Sequence, residues 1–395
     1  MPKLLLWSDS VCAATGFGRV ARTICAALPD WDITQVGLNH LEELDHFYGC
    51  VNIHPTTSED PWGLSIARKL YLENDYDLFI VIQDLHASSP WAEEFTAARI
   101  SRSLRALPYT PTIYHYPVDG PMLGDVDFVK FADHAIACTQ WGADLIKPLL
   151  RGREADVIPH AVDTRMYRPV PPRAKAALRE SIFGIAPDDD TLAVLSVGVN
   201  TDRKDHFSAL AAIKELNQAQ LRGKLYIHTK AIANSIDIHC QGRSLGLSPL
   251  EYRVADASVL GCSDSAMNKL YNAADCLLFT SRREGFGIPM IEALAAGIPV
   301  LAPNYGPFVE VLARGSFGYL HEPSGLVWIR GDNRGPGWQS DPSVIARHLG
   351  FLRAARIEVG SERSAWARVH VEENYSLAAV IPMWQRYIQE ILHGS

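Results

Sequence analysis

Short apolar runs alternate with longer amphipathic stretches along almost the whole chain, and this alternation constrains the fold more than any other feature. Lys3–Trp7, Leu78–Ile82, Thr112–Tyr116, His134–Cys138 and Asp156–Pro159 read as buried strands. Arg19–Leu28 and Trp91–Leu107 have helical spacing between them. A strand–helix repeat places its strands in parallel, because each crossover must return to the same end of the sheet. A second series follows: strands at Leu192–Val197, Lys224–Thr229, Cys276–Thr280 and Ile298–Ala302, helices at His206–Gln218, Ser265–Ala273 and Pro289–Ala296. Between the series, Arg168–Pro187 carries four prolines and reads as a linker with a short helix. Ile329–Gln339, rich in Gly, Asn and Trp, reads as a loop insertion. The expectation is an α/β chain of two doubly wound, Rossmann-like domains facing across a cleft, residues 1–167 and 168–375. Ligands of such sheets sit outside the carboxyl ends of the strands.

The 395 residues give each domain length for a full core. No apolar run reaches the roughly 20 residues of a membrane span, and the first residues read as a strand rather than a leader. Seven scattered cysteines without a CxxC pair predict free thiols, no zinc cluster and a cytoplasmic setting. Net charge is −8, all of it within residues 1–170, so bulk attraction to nucleic acid or anionic lipid is not favoured.

Residues 270–303 carry the most chemistry. A strand runs into the Gly-rich turn Glu284-Gly285-Phe286-Gly287, then Ile288-Pro289 opens a helix that contains Glu292 and stops near Gly297. Pro suits the first helical turn, where its missing N–H is not needed. A glycine loop before a helix offers backbone amides and a positive dipole end to an anion. Carboxylates beside it accept hydrogen bonds from sugar hydroxyls. The combination predicts a nucleotide-sugar: phosphate on amides, hydroxyls on Glu284 and Glu292.

This stretch resembles retaining glycosyltransferases of the GT-B fold, family GT4, whose mark is Glu-x7-Glu; the flanking Tyr-Asn-Ala-Ala-Asp and Glu-Ala-Leu-Ala-Ala-Gly-Ile-Pro-Val match as well. The resemblance implies that Glu284 contacts the donor sugar and Glu292 the ribose. It extends to Gly198-Val-Asn200-Thr-Asp-Arg203-Lys204, where Lys204 matches a lysine that neutralises the donor diphosphate. Val199 replaces the family arginine, and Arg203 stands in for it. Weaker likenesses are the loop Gly16-Phe-Gly18, for backbone approach to the donor phosphates or the acceptor, and Tyr-His115-Tyr-Pro-Val-Asp119-Gly, where a histidine lines the reaction centre. Gln83-Asp84-Leu85-His86 is a similar polar edge. The last helix, 376–395, is expected to return to the first domain.

The resemblance therefore implies transfer of a sugar from a UDP- or GDP-sugar to an acceptor hydroxyl with retention. Arg203, Lys204 and amides replace a metal, and no resident cofactor is needed. The acceptor belongs to residues 1–165 and is a glycan, a lipid or, since the variant motifs look like a phage-type branch, a hydroxymethylated DNA base. Arg99, Arg102 and Arg105, read as one exposed helix face opposite Ala97, Ile100, Leu104 and Leu107, are the basic trio a DNA acceptor would use. A nucleotide-sugar epimerase and a non-catalytic sugar-binding relative stay open as alternatives.

Overall fold

The computed structural model describes residues 1–40, 51–85, 91–121, 127–150, 152–255, 263–330, 335–355 and 360–394. The chain separates into two compact units. One comprises Met1–Val118, Leu123–Ala161 and Leu377–Ser395; the other comprises Asp119–Met122 and Val162–Ser376.

The first unit is built on strands β1 (Lys3–Asp9), β2 (Asp32–Leu38), β3 (Val51–Pro55), β4 (Leu78–Ile82), β5 (Thr112–Tyr116), β6 (His134–Ala137) and β7 (Asp156–Val157). They pair in the order β3-β2-β1-β4-β5-β6-β7, parallel throughout. Both faces are covered, so β4 is apolar throughout and β1 is apolar from Leu4 to Trp7. Alternate residues point to opposite sides. Leu5, Trp7, Phe79 and Tyr114 join Trp91, Phe95 and Phe128 in one core layer. Leu4, Leu6, Ile80 and Ile113 join Val20 and Ile24 in the other. Val380, Trp384 and Ile388 of the last helix, Leu377–His393, complete that second layer.

The second unit holds β8 (Leu192–Val197), β9 (Gly223–His228), β10 (Ile232–Ala233), β11 (Ile236–Asp237), β12 (Tyr252–Val254), β13 (Cys276–Leu278), β14 (Val300–Pro303), β15 (Tyr319–His321), β16 (Gly325–Ile329) and β17 (Gly335–Gln339). Six of these form a parallel sheet in the order β12-β9-β8-β13-β14-β15. The chain leaves β8 in one direction for β9 and returns on its other side as β13. The carboxyl ends of β8 and β13 therefore flank a topological switch point. Both units are Rossmann-like α/β.

Three expectations change. Ile329–Gln339 is no plain loop: Gly325–Ile329 and Gly335–Gln339 pair antiparallel, and the Trp338 amide donates to the Arg282 carbonyl at 2.8 Å. Arg168–Pro187 is mostly helix Pro172–Phe183, which ends at Gly184 with φ 64°. It is anchored in the second unit by buried Arg179, which bonds Asp275 and the Thr191 carbonyl. Helix Ala92–Leu104 faces the opposite way from its expected orientation. Ile100 and Leu104 are exposed, whereas Arg102 is buried and donates to the carbonyls of Tyr71, Asn74 and Pro108. Among the described residues no helix is long and apolar enough to cross a membrane.

Candidate active site

After β8 the chain passes Gly198 and makes a single 3-10 turn, Asp202–Lys204. Asp205, at φ 49°, then caps helix His206–Gln218 by accepting the Ser208 amide on its carboxylate. The segment leaving β13 is stitched onto this turn. The Arg282 amide donates to the Arg203 carbonyl at 2.7 Å, and Thr280 Oγ1 donates to the carbonyls of Lys204 (3.0 Å) and Asp205 (2.9 Å). A Cβ at Gly198 would come within 3.2 Å of the Lys204 side chain. The missing side chain is thus what lets Lys204 run inward.

Lys204 meets Glu284 there. Nζ forms an ion pair with Oε2, and both side chains are about nine-tenths buried. Arg203 lies 3.7 Å from the other carboxylate oxygen and donates to the Arg283 carbonyl at 3.2 Å. Ser281 Oγ donates to Glu284 Oε2 at 3.3 Å. Burial pushes the Glu284 carboxyl up, but Lys204 and Arg203 outweigh it and hold the group below its ordinary value. Burial pushes Lys204 down, and Glu284 offsets only part of that.

Beyond Glu284 the backbone turns through Gly285 and Phe286, whose ring packs edge-on against Tyr375. Gly287 is left-handed at φ 85° and stands at the N-cap of helix Ile288–Ala295 without a side-chain cap. A glycine is needed at that φ. Glu292, one helical turn in, is buried and accepts a 2.6 Å bond from the Tyr271 hydroxyl. Glu284, Lys204 and Arg203 therefore meet at the switch point of one unit, and Glu292 lies one turn into the helix that follows.

Residues 253–326 match the family described as Glycosyl transferases group 1. The likeness to that family model is confined to these residues. Among curated proteins, the D-inositol 3-phosphate glycosyltransferase of Streptomyces scabiei is 28% identical over 265 residues, 63% of this chain and 56% of that protein. Its namesake from Segniliparus rotundus is 30% identical over 197 residues, 47% of this chain and 40% of the relative. The chain thus spans about half the length of the curated relatives it matches. Anabaena HepE, solved with UDP and glucose, superposes over 100% of both chains with a TM-score of 0.72 at 16% identity. Sucrose-phosphate synthase from Thermosynechococcus elongatus gives 0.72 at 14%, again over 100% of both chains. These likenesses show the GT-B type of fold.

Around the group 1 segment, other singled-out residues take structural roles. Asn200 is buried, and its Nδ2 donates to the carbonyls of Lys230 (3.2 Å), Ala231 (3.2 Å) and Ile236 (3.1 Å), holding the β10–β11 hairpin. Asp119 pairs at 3.0 Å with Arg283, a buried arginine that the sequence reading missed. The guanidinium lies in space left by two glycines: a Cβ on Gly120 would fall 2.1 Å from Nε, one on Gly335 3.0 Å from an Nη. No sequence pattern signals this, since Gly120 and Gly335 lie far from position 283.

In the first unit Gly16 opens helix Gly16–Ala27, and Gly18 donates its amide to Thr15 Oγ1 at 3.1 Å. A Cβ on Gly18 would meet the Ala13 carbonyl at 2.5 Å, so the backbone packs too closely there for a side chain. His115 corrects an expectation. It is wholly buried in β5, donates to the Ile158 carbonyl at 3.2 Å and packs against His160 and Trp384. Burial pushes it down to about 4. A neutral, inaccessible core imidazole cannot line a reaction centre. The arginine trio is likewise no acceptor patch: Arg102 is internal, and Arg99 pairs with Asp133 at 3.1 Å. His86 lies outside the described residues.

Proposed function

We propose that the chain is a retaining glycosyltransferase that moves a sugar from a UDP- or GDP-sugar to an acceptor hydroxyl, without a divalent metal. The buried Lys204–Glu284 pair at the switch point carries this reading. An ammonium has three donors. With one on Glu284, two remain for diphosphate oxygens, and Arg203 adds a second cation beside them. Glu284 keeps an oxygen for a donor-sugar hydroxyl. Glu292, steadied by Tyr271, takes the ribose hydroxyls. The amides of Gly285, Phe286, Gly287 and Ile288, at the positive end of the helix, face phosphate.

In the reaction the bond from the anomeric carbon to the phosphate oxygen breaks. The acceptor oxygen bonds to that carbon on the same face, and its proton passes to the departing phosphate. Lys204 and Arg203 neutralise the charge that develops on the diphosphate, which is where fixed cations accelerate most. Residues 168–375 serve the donor, and residues 1–167 with 376–395 serve the acceptor. With Arg99 and Arg102 committed to internal bonds, a small polyol or glycan hydroxyl fits that side better than hydroxymethylated DNA. The naming of the curated relatives for an inositol phosphate supports the same class.

The test is to incubate the protein with UDP- and GDP-sugars and a panel of inositol phosphates, glycans and hydroxymethylated DNA, with and without EDTA, and to read the anomeric configuration by proton NMR. An α-linked donor should give an α-linked product in EDTA. An inverted product or strict metal dependence contradicts the mechanism; acceptor-free conversion of the donor sugar favours the epimerase.

A further inference from the structure

Arg203 and Lys204 occupy the middle of a single turn, and one guanidinium holds both of its ends. Arg282 Nη1 donates to the Asp202 carboxylate at 2.5 Å and to the Asp202 carbonyl at 3.2 Å, and Nη2 pairs with Asp205 Oδ1 at 3.2 Å. The Arg282 amide donates to the Arg203 carbonyl between them. Arg282 Nε donates to Gln339 Oε1 at 3.1 Å, and Gln339 Nε2 donates in turn to Asp205 Oδ2 and Ser208 Oγ, both at 3.1 Å. Asp205 is thus gripped on both carboxylate oxygens while its backbone is left-handed at φ 49°. A residue other than glycine stays in that region where the surrounding contacts fix it.

The same residue governs the other half of the ion pair. Glu284 stands two positions after Arg282, so Arg282 joins the turn that carries Lys204 to the loop that carries its carboxylate partner. The β16–β17 hairpin locks this joint from behind. Besides Gln339, the Trp338 amide donates to the Arg282 carbonyl, and the Arg330 amide donates to Asp202 Oδ2 at 3.2 Å. The likeness to the family model ends at residue 326, so this support comes from outside the matched segment. A lysine at 282 would keep the charge but not the planar fork that reaches Asp202, Asp205 and Gln339 together.

We propose that Arg282, locked by Gln339, is a positioning residue for the Lys204–Glu284 pair: it sets the turn so that both cations stand where the carboxylate and a departing diphosphate need them. The inference rests on the donor-site reading given above.

The experiment measures the pair itself and then the reaction. Urea melts of Lys204→Met, Glu284→Gln and the double variant give the coupling between the two side chains, first in otherwise wild-type protein and then with Arg282→Lys. The coupling should fall to about half or less in the Arg282→Lys background, because the turn is no longer held at both ends. Gln339→Leu, which removes no charge, should lower it in the same direction and serves if Arg282→Lys does not fold. With the preferred nucleotide-sugar, kcat should fall roughly ten- to a hundredfold in Arg282→Lys while KM stays within about twofold, since misplacement by about 1 Å is felt in the reaction more than in ground-state binding. Coupling that is unchanged in both backgrounds, or a loss that lies in KM alone, overturns the inference. If the wild type turns over no nucleotide-sugar, the donor-site reading fails instead, and the coupling alone decides the role of Arg282.

Discussion

Lys204 and Glu284, 80 residues apart in sequence, meet in an ion pair that solvent hardly reaches. Neither charge would tolerate that position alone, because an unpaired ion in such surroundings costs several kcal/mol. The pair therefore ties the turn after β8 to the loop after β13 and presents both a cation and a carboxylate at one point.

Removing one partner should separate stability from chemistry. Lys204→Met should cost about 3–5 kcal/mol by stranding Glu284, and lower turnover roughly a hundred- to a thousandfold. Adding Glu284→Gln should restore much of the stability and none of the activity. Urea melts and donor turnover on the two variants check this. A double variant that regained activity would remove the pair from the mechanism.

Three buried histidines predict an acid-side loss of stability. His115, His206 and His321 are each pushed down to about 4, chiefly by burial. Between that value and about 6.5 the unfolded chain binds protons that the folded chain refuses. Stability therefore rises with pH through this window and is lost as pH falls. Each group contributes up to about 1.4 kcal/mol per pH unit. Denaturant titrations at pH 7 and 5 should show the drop, and His115→Phe should reduce it. An unchanged difference in that variant would mean that His115 titrates normally.

Gly120 and Arg283 should be coupled. Gly120→Ala drives a methyl into the guanidinium and should cost about 1–3 kcal/mol. In Arg283→Ala the same methyl has room. The double variant should then be less destabilised than the sum of the singles, and strict additivity would contradict the packing described.

The arginine trio should divide by burial. Arg102→Glu should destabilise the first unit by about 3 kcal/mol or more, because several buried carbonyls lose a charged donor. Arg105, exposed, makes one 3.2 Å bond to the Leu72 carbonyl, and Arg105→Glu should be nearly neutral. Thermal melts of the two variants distinguish an internal tie from a surface patch.

Strands such as β1, β4, β8 and β14 are legible in the sequence because burial on both faces leaves an unbroken apolar run. Strand β2 is not, since Asp32, Thr34 and Gln35 interrupt it. Gln35 is nonetheless wholly buried, bonded to the Val11 amide at 3.0 Å and to Ser8 Oγ at 2.9 Å. Helix Ala92–Leu104 misleads for the same reason in reverse: a charged residue faces inward because distant carbonyls receive it. At the candidate site, the Gly-rich turn marks Glu284 and Glu292, and the family resemblance marks Lys204. Arg283 and Tyr271 escape notice, because their partners come from segments remote in sequence. The pairing of β16 with β17 is hidden for the same reason, since its Trp338 amide bonds the distant Arg282 carbonyl.

The second unit is expected to bind a nucleotide-sugar through the turn after β8 and the helix that carries Glu292. Calorimetry with a panel of UDP- and GDP-sugars, on wild type and on Glu292→Ala, tests it most directly. A buried carboxylate that accepts ribose hydroxyls is worth about 1.5–3 kcal/mol, so the preferred donor should bind roughly ten- to a hundredfold more weakly to the variant. No binding of any nucleotide-sugar to the wild type, or equal affinity for both proteins, would contradict the account.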